Sequence, residues 1–293
     1  MATKKLIKNI DNSIKVCLCV IGKSEKLYAK EYINHYYKLG YNHIFLYDNN
    51  DINGEIFEDV IMDELKKGFV SIINFRGKTG RRYINGFLMD SQLEAYYDCY
   101  KKNNKIYDWL SFFDFDEFLE LRPYNQTIQQ FLSNKRYKQC KVIKFNFLFY
   151  SDNELLYYNN SPISQRFTTP LIHHNNNRYI KSTVRGGLKD NYWRNCTNPH
   201  SGRNYYRTCN SNGEKVNYSS KNTKTFNFTY AALKHYSTKS VEEFCNKIKR
   251  GYPFHKKNHY TTERKINRMN YYFRYNKKTK EKINLFKKIF EIN

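Results

Sequence analysis

The sequence lacks long hydrophobic runs: none of its apolar stretches reaches the roughly 18 residues that a membrane-spanning helix needs. Residues 1–13 are basic but have no apolar core of the kind found in signal peptides. Cys-x-x-Cys pairs are also absent, which argues against a structural zinc site. We therefore expect a cytoplasmic protein with reduced cysteines, in which Cys196 and Cys209 are the pair that could bridge in an oxidising compartment.

Acidic residues are scarce, since 27 Asp and Glu stand against 51 Lys and Arg and leave a formal net charge of +24. The positive electrostatic field of such a protein favours anionic partners: nucleotide phosphates, nucleic acid or an anionic membrane surface. Lys, Asn, Ile, Tyr and Phe are all frequent, so a compositional bias explains part of the charge and does not select among these partners. The 40 % hydrophobic content is enough for the core of one large domain, with or without an appendage.

The carboxylates cluster directly after an apolar, aromatic run. In that run, Phe112 and Phe113 indicate a short strand that is buried on both faces. Ionised carboxylates are costly to bury without a partner, so Asp114 and Asp116 should lie where this strand ends. Alternate residues of an extended chain point the same way, and the two carboxylates can then share one Mg²⁺ or Mn²⁺ with a phosphate. A solvated acidic turn is the alternative interpretation.

Strand-like and helix-like segments alternate through the first half of the chain. The predicted strands are residues 16–21, 43–47, 69–75 and 109–113, and the predicted helices are 27–39, 57–66 and 92–102. This order predicts an α/β domain with a mostly parallel sheet, whose ligands bind beyond the carboxyl ends of the strands. Three polar clusters fall at such ends, in residues 23–25, 48–51 and 114–117. Their coincidence at one edge predicts a site.

The second half is less regular. It contains predicted strands at 142–149 and 231–236, a helix at 241–250 that residues 237–240 cap, and a long polar loop at 191–225. Ile283, Phe286, Ile289 and Phe290 share one face of a basic amphipathic helix near the C-terminus. Peripheral membrane contact, docking onto the body of the protein and a solvated tail are all consistent with that pattern.

The order of these pieces resembles glycosyltransferase family 92 and the related family-2-like transferases, which share the GT-A fold. The resemblance runs from about residue 15 to residue 251, and its first loop reads Lys23-Ser24-Glu25 where the family usually has Lys-Asn-Glu. It rests on four stretches: EYINHYYKLGYNHIFLYDNND at 31–51, QLEAYYDCYKKN at 92–103, WLSFFDFDEFLEL at 109–121 and LKHYSTKSVEEFCNKIKRG at 233–251.

The resemblance implies a GT-A fold: a mostly parallel twisted sheet flanked by helices, with a Rossmann-like nucleotide-binding half and a loop-rich acceptor half. These halves would occupy residues 14–150 and 151–253, between an N-terminal extension at 1–13 and a basic helical tail at 254–293. It further implies inverting transfer of a hexose, galactose or glucose, from a UDP-sugar. The acceptor would be a glycan, a glycolipid or a glycoprotein, and Mn²⁺ or Mg²⁺ the cofactor.

Site residues follow from the same resemblance. The metal ligands would be Asp114, Asp116 and His235, although a His on an apolar strand is as often a core residue. Donor contacts would come from Lys23, Glu25, Asp48, Gln92, Asp114 and Lys239, with Lys249 and Arg250 as further phosphate partners. Inversion by direct displacement needs a general base of the enzyme that takes the proton of the acceptor hydroxyl. For this role Asp152 is preferred over Glu117, Glu154 and Asp190. Sugar rings could stack on Tyr157, Tyr158, Tyr192 and Trp193.

Two other functions remain open at this stage. A nucleic-acid-binding protein would use the basic surface, but the sequence shows no RNP-type or helix-turn-helix pattern, and carboxylates at strand ends repel phosphate. A two-metal phosphotransferase or nuclease also uses paired Asp residues, but needs more acidic ligands than the sequence offers near the motif. A metal-dependent glycosyltransferase is therefore the leading hypothesis.

Overall fold

A twisted, mostly parallel sheet flanked by helices forms the centre of this computed structural model, which describes residues 14–188, 207–216, 226–251 and 261–292. The strands are β1 (Val16–Gly22), β2 (His43–Asp48), β3 (Val70–Asn74), β4 (Arg81–Ile84), β5 (Phe87–Asp90), β6 (Trp109–Phe112), β7 (Glu117–Leu121), β8 (Val142–Phe149), β9 (Ile180–Arg185), β10 (Thr208–Asn210) and β11 (Ala231–His235). The helices are α1 (Lys26–Lys38), α2 (Glu58–Lys66), α3 (Ser91–Asn103), α4 (Ile128–Leu132), α5 (Ile163–Arg166), α6 (Val241–Lys249), α7 (Thr262–Tyr272) and α8 (Lys280–Phe290).

The main sheet has the strand order β3-β2-β1-β6-β9-β8-β11-β7, and β10 lies beside β8. Strands β3, β2, β1 and β6 are parallel, so their carboxyl ends meet at one edge. Strand β9 is antiparallel to both of its neighbours, β6 and β8. Strand β7 is antiparallel to β11, which is parallel to β8. The predicted α/β fold with a mostly parallel sheet is confirmed.

Strand β1 is buried on both faces because a helix covers each of them. Val16, Leu18 and Val20 pack in one core cluster with the tyrosines of α1, whereas Cys17 and Cys19 pack in another with those of α3. Alternate residues of a strand point to opposite faces, so a strand between two helical layers must be apolar throughout. This explains why β1 reads as an unbroken hydrophobic run.

The hairpin β4–β5 and the strands β7 and β9 were not predicted from the sequence. The apolar run at 109–121 is not one continuous strand, because a turn at 113–116 separates β6 from β7. Strand β9 escaped detection because its buried residues include Lys181, Ser182 and Thr183, which lack an apolar pattern. They are satisfied by polar partners instead, as where Ser111 and Thr183 exchange a hydrogen bond of 2.7 Å.

The C-terminal helices pack against α6. Phe286 and Phe290 are buried in one cluster with Val241 and Phe244, so the apolar face of α8 is docked onto the body. A buried ion pair between Lys282 and Asp152 adds a second attachment. Of the three alternatives for the tail, docking is therefore the arrangement that the structure shows. Within the described ranges, every helix is too short or too polar to cross a membrane.

A disulfide bond lies within the described part of the chain, which corrects the expectation that all cysteines are thiols. Cys209 bonds to Cys140, not to Cys196, which lies outside the described residues. Sequence separation concealed this pair, because β10 comes to lie beside the start of β8 only in the folded sheet.

His35 makes the folded protein sensitive to acid. Burial is the main reason that the pKa of this ring falls from 6.5 to about 4, although its bond to the carbonyl of Leu119 partly offsets it. At a pH between 4 and 6.5, His35 is mostly protonated in the unfolded chain and mostly neutral in the folded protein. Its contribution to stability is therefore present above pH 6.5 and lost as the pH falls towards 4. We expect a loss of about 2–3 kcal/mol.

Urea unfolding between pH 4 and 7 measures this loss as a difference from His35→Gln, whose amide can still donate to Leu119. The stability of the wild-type protein should fall more steeply than that of the variant. Parallel pH profiles of the two proteins would contradict the prediction.

Candidate functional site

The turn at residues 113–116 brings three potential metal ligands together. Strand β7 begins immediately after it, and its antiparallel register with β11 pairs Glu117 with His235. Asp116 lies at the end of the turn, where its carbonyl accepts a hydrogen bond of 2.9 Å from the amide of Tyr236. Strand pairing, rather than closeness in sequence, therefore places these side chains at one edge of the sheet.

Ligand atoms of Asp116, Glu117 and His235 all lie within 4.8 Å of one another. His235 Nε2 is 3.5 Å from Asp116 Oδ1 and 4.0 Å from Glu117 Oε1. Glu117 Oε1 is buried and has no hydrogen-bond partner within the described part of the chain, so it has a free lone pair for a cation. Two carboxylates and an imidazole are a donor set that suits Mn²⁺, and these residues fit the implied cofactor.

The surroundings of this cluster strongly shift the pKa values of its three side chains. Burial by itself would raise the pKa of Asp116, but the ammonium of Lys247 and then the His235 ring outweigh it and hold that pKa well below its usual range. Burial is also the main cause that lowers the pKa of His235 and raises that of Glu117. His235 is thus a neutral imidazole, the form in which histidine binds metals.

Asp114 is not a member of this cluster, although its backbone amide donates a hydrogen bond of 2.9 Å to Glu117 Oε2, and its role as a metal ligand stays a prediction. Its Oδ1 accepts hydrogen bonds from Gln92 at 2.7 Å and from the Tyr96 hydroxyl at 2.9 Å, while its Oδ2 is 2.8 Å from Lys181 Nζ. The two aspartates were expected to point the same way along an extended strand. Because the backbone turns between them, Asp114 instead faces α3 and β9.

A cavity of about 370 Å³ opens beside the cluster, and both aspartates line it. Four cationic side chains face it as well: Lys23, Lys247, Arg250 and Arg268. Lys247 Nζ is 2.6 Å from Asp116 Oδ2, and the Arg250 guanidinium bonds to the Glu25 carboxylate and to the carbonyl of Lys23. Carboxylates and cations are therefore paired across one cavity at the carboxyl ends of the strands, where such folds bind ligands.

The structure brings most of the predicted donor residues to this cavity. Its lining includes Lys23, Glu25, Gln92, Asp114 and Arg250. Asp48 lies behind the lining, where it forms an ion pair with Arg76. Lys239 lines a neighbouring cavity instead. Lys249 is exposed on α6, whereas Lys247 and Arg250, three residues apart, share the face towards the cavity.

None of the predicted general bases that the structure describes lines the cavity. Asp152 is a buried structural carboxylate, since Oδ2 receives Lys282 and the Tyr272 hydroxyl and Oδ1 accepts from the amide of Glu154. It does not line the cavity, and both of its oxygens have partners within the protein. Glu117 is fully buried beneath the cavity. Asp190 lies outside the described residues, as do Tyr192 and Trp193.

Comparison with known proteins identifies the family. The profile of glycosyltransferase family 92 matches residues 12–276, nearly the whole chain. The chain belongs to glycosyltransferase family 92. A family 92 protein of rice (Oryza sativa subsp. japonica) is 29 % identical over 121 residues, which are 41 % of this chain and 18 % of the rice protein. The chain thus spans about a fifth of the length of that curated relative.

Two solved structures are similar to parts of this family 92 chain. The apo structure of the bifunctional glycosyltransferase WbbM has 13 % identity and a TM-score of 0.30, over 47 % of this chain and 24 % of its own. A structure of S. aureus TarS has 12 % identity and a TM-score of 0.31, over 59 % and 47 % of the two chains. Both similarities are too low to support conclusions about this protein.

Sequence reasoning missed Lys247, Arg268 and Lys181 in the site of this family 92 protein. Lys247 could have been found, because it precedes Arg250 by three residues in a helix that was predicted. Lys181 could not have been found, since nothing in the sequence around it indicates that β9 inserts between β6 and β8.

Gly22 allows the aromatic residue between the two aspartates to pack against β1. A Cβ atom at Gly22 would lie 2.5 Å from the Phe115 ring and 2.8 Å from the Phe57 ring, which stack on each other. Gly22→Ala should therefore displace Phe115, cost about 1–3 kcal/mol of unfolding free energy and weaken the Mn²⁺-dependent nucleotide binding that we propose below. Urea unfolding and calorimetry measure the two effects.

Adding Phe57→Leu to Gly22→Ala should restore part of both properties, because it removes ring atoms from the crowded site. Phe57→Leu alone is the matched control. If Gly22→Ala were as stable and bound nucleotide as tightly as the wild type, close packing at this strand end would not position the aspartates.

Proposed function

We propose that this family 92 protein transfers a hexose from a UDP-sugar to a glycan-type acceptor, with a divalent cation held by Asp116, Glu117 and His235. The observation that carries the proposal is that Asp116 and His235 of this cluster line one cavity together with the cations Lys247 and Arg250. A nucleoside diphosphate that carries a metal ion needs both kinds of group, since the metal requires anionic ligands and the phosphates require cations.

The existing ion pairs suggest how the cavity accommodates a diphosphate. Lys247 now binds Asp116, and Arg250 binds Glu25, so both cations are held in place by carboxylates. If Asp116 held a divalent cation, Lys247 would be free to donate a hydrogen bond to a phosphate oxygen. A bound divalent cation would offset the charge that develops on the diphosphate leaving group. Lys247 and Arg250 would add hydrogen bonds to the same oxygens.

Asp114 and Gln92 support a different part of the donor. The Asp114 side chain is 33 % exposed although three groups hold it, so it retains an accessible edge towards the cavity. A carboxylate fixed in this way accepts hydrogen bonds from hydroxyl groups, such as those of a ribose. We assign Asp114 to the nucleoside end of the donor and Asp116 to the metal.

Isothermal titration calorimetry tests the proposal with UDP, GDP, UDP-galactose and UDP-glucose, each with Mn²⁺ and with EDTA. We expect UDP and one UDP-hexose to bind in the presence of Mn²⁺, and EDTA to abolish this binding. NMR of a transferred product would show whether the anomeric configuration is inverted, as we further propose. If none of these nucleotides binds with Mn²⁺ or with Mg²⁺, the proposed function is wrong.

A further inference from the structure

A groove leads from the donor cavity along the N-terminal half of α1. Two further cavities form it, of about 440 Å³ and 650 Å³. The first shares Glu25, Lys247 and Arg250 with the donor cavity, and the two share Leu27, Tyr28 and Tyr158 with each other. We call these two cavities together the α1 groove. Because Lys247 contacts Asp116, the groove opens beside the proposed metal site.

A buried ammonium without a hydrogen bond faces the α1 groove. Lys239 is only 5 % exposed, and its Nζ lies 3.7 Å over the ring of Tyr28. Its ion-pair partner is Glu25, whose Oε2 is 3.9 Å from Lys239 Nζ, too far for a hydrogen bond. In the described part of the chain, Lys239 Nζ donates no hydrogen bond. Burying a charged donor in this state is costly, so the site favours a ligand with an oxygen acceptor.

The surrounding charges indicate a neutral ligand. The cavity that holds Lys239 is also lined by four carboxylates: Glu25, Glu55, Glu242 and Glu243. Its other two cations, Lys247 and Arg250, also line the donor cavity, where the proposed function assigns them to the diphosphate. These carboxylates would repel an anion, and the Lys239 ammonium would repel a cation. A neutral group that both donates and accepts hydrogen bonds suits this mixture, and a sugar hydroxyl is such a group.

The outer part of the groove has the features of a carbohydrate site. Tyr158 is partly exposed where the two cavities meet, and an aromatic ring can pack against the apolar face of a sugar. Neutral polar side chains line the groove there beside charged ones: Asn34, Asn160, Ser164 and Gln165 alternate with Lys30, Glu31, Lys38, Arg166 and Lys234. Convergent amides and hydroxyls beside an aromatic ring bind polyhydroxylated ligands.

We propose that the α1 groove binds the acceptor glycan, with Lys239 donating a hydrogen bond to a sugar oxygen and Tyr158 packing against a sugar ring. This inference rests on the proposed function, because an acceptor is needed beside the donor cavity only if sugar transfer takes place. It also revises the expectation that the acceptor site lies within residues 151–253, since α1 forms one wall of the groove.

Saturation-transfer NMR can test the groove with a panel of neutral trisaccharides (cellotriose, maltotriose, mannotriose and tri-N-acetylchitotriose) at millimolar concentration. The variants are Lys239→Asn and Tyr158→Ala, with Lys249→Asn as a matched control on the exposed face of α6. Asn suits position 239 because the backbone there has a φ of +55°, a conformation that Asn tolerates better than most residues. Calorimetric titration of UDP with Mn²⁺ is run on the same four proteins.

We expect at least one trisaccharide to bind the wild type and the Lys249→Asn control equally. It should bind Lys239→Asn and Tyr158→Ala about 10-fold more weakly or not at all, while all four proteins keep Mn²⁺-dependent UDP binding. Three results would overturn the inference: no trisaccharide binds the wild type, both variants bind as the wild type does, or Lys239→Asn loses UDP instead. Failure of UDP to bind the wild type would refute the proposed function itself.

Discussion

Replacing Asp116 by Asn should weaken Mn²⁺-dependent UDP binding by at least about 100-fold, because it removes the charged ligand of the proposed metal site. The change keeps the side-chain volume, and Lys247 retains the carbonyl of Ser237 as an acceptor at 3.2 Å. The protein should therefore stay folded. Weak, metal-independent UDP binding should not decrease, because Lys247 is then no longer neutralised by a carboxylate.

Calorimetry with Mn²⁺ and with EDTA separates these two contributions to binding. Asp59→Asn is the matched control, since Asp59 forms an exposed ion pair with Lys26 and does not line the donor cavity. This control should bind UDP as the wild type does. Unchanged Mn²⁺-dependent binding in Asp116→Asn would show that the cluster does not hold the metal. If Asp116→Asn lost UDP affinity to the same extent with Mn²⁺ and with EDTA, the carboxylate would have only a structural role.

Replacing Lys181 by Met should cost about 3–5 kcal/mol of unfolding free energy, because it removes the cation from a buried group of charges. The Lys181 ammonium is fully buried, 2.8 Å from Asp114 Oδ2 and 3.6 Å from Glu117 Oε1. Burial alone would lower its pKa, but these two carboxylates outweigh burial and raise it. Without Lys181, two carboxylates would face each other with no cation between them.

Urea unfolding of Lys181→Met and of the double variant Lys181→Met/Glu117→Gln tests this account. The second change removes one of the unpaired charges, so the double variant should be more stable than Lys181→Met alone. Lys102→Met is the control, because Lys102 is paired with Asp98 on the surface of α3 and its loss should change stability by no more than about 0.5 kcal/mol. A Lys181→Met protein as stable as the wild type would rule out this electrostatic role.

Local patterns in the sequence determined much of the fold. The apolar run of β1, the helical spacing of α1 and α3 and the capping box at Ser240 and Glu243 each depend on residues close together in the chain. The same holds for the position of Asp114 and Asp116 at the end of a buried strand. Such features can be read from the sequence because neighbouring residues supply both the pattern and its physical cause.

Only the tertiary structure decided which side chains meet. Glu117 faces His235 because of the register between β7 and β11, and Lys181 reaches Asp114 because β9 lies between β6 and β8. Asp152 pairs with Lys282 from the distant helix α8, a contact that no pattern in the sequence around Asp152 indicates. Strand order and helix docking depend on how the whole core packs, and no local pattern encodes them. The sequence alone thus located the edge of the sheet where the site lies, and the packing of distant elements determined its ligands, its cations and its groove.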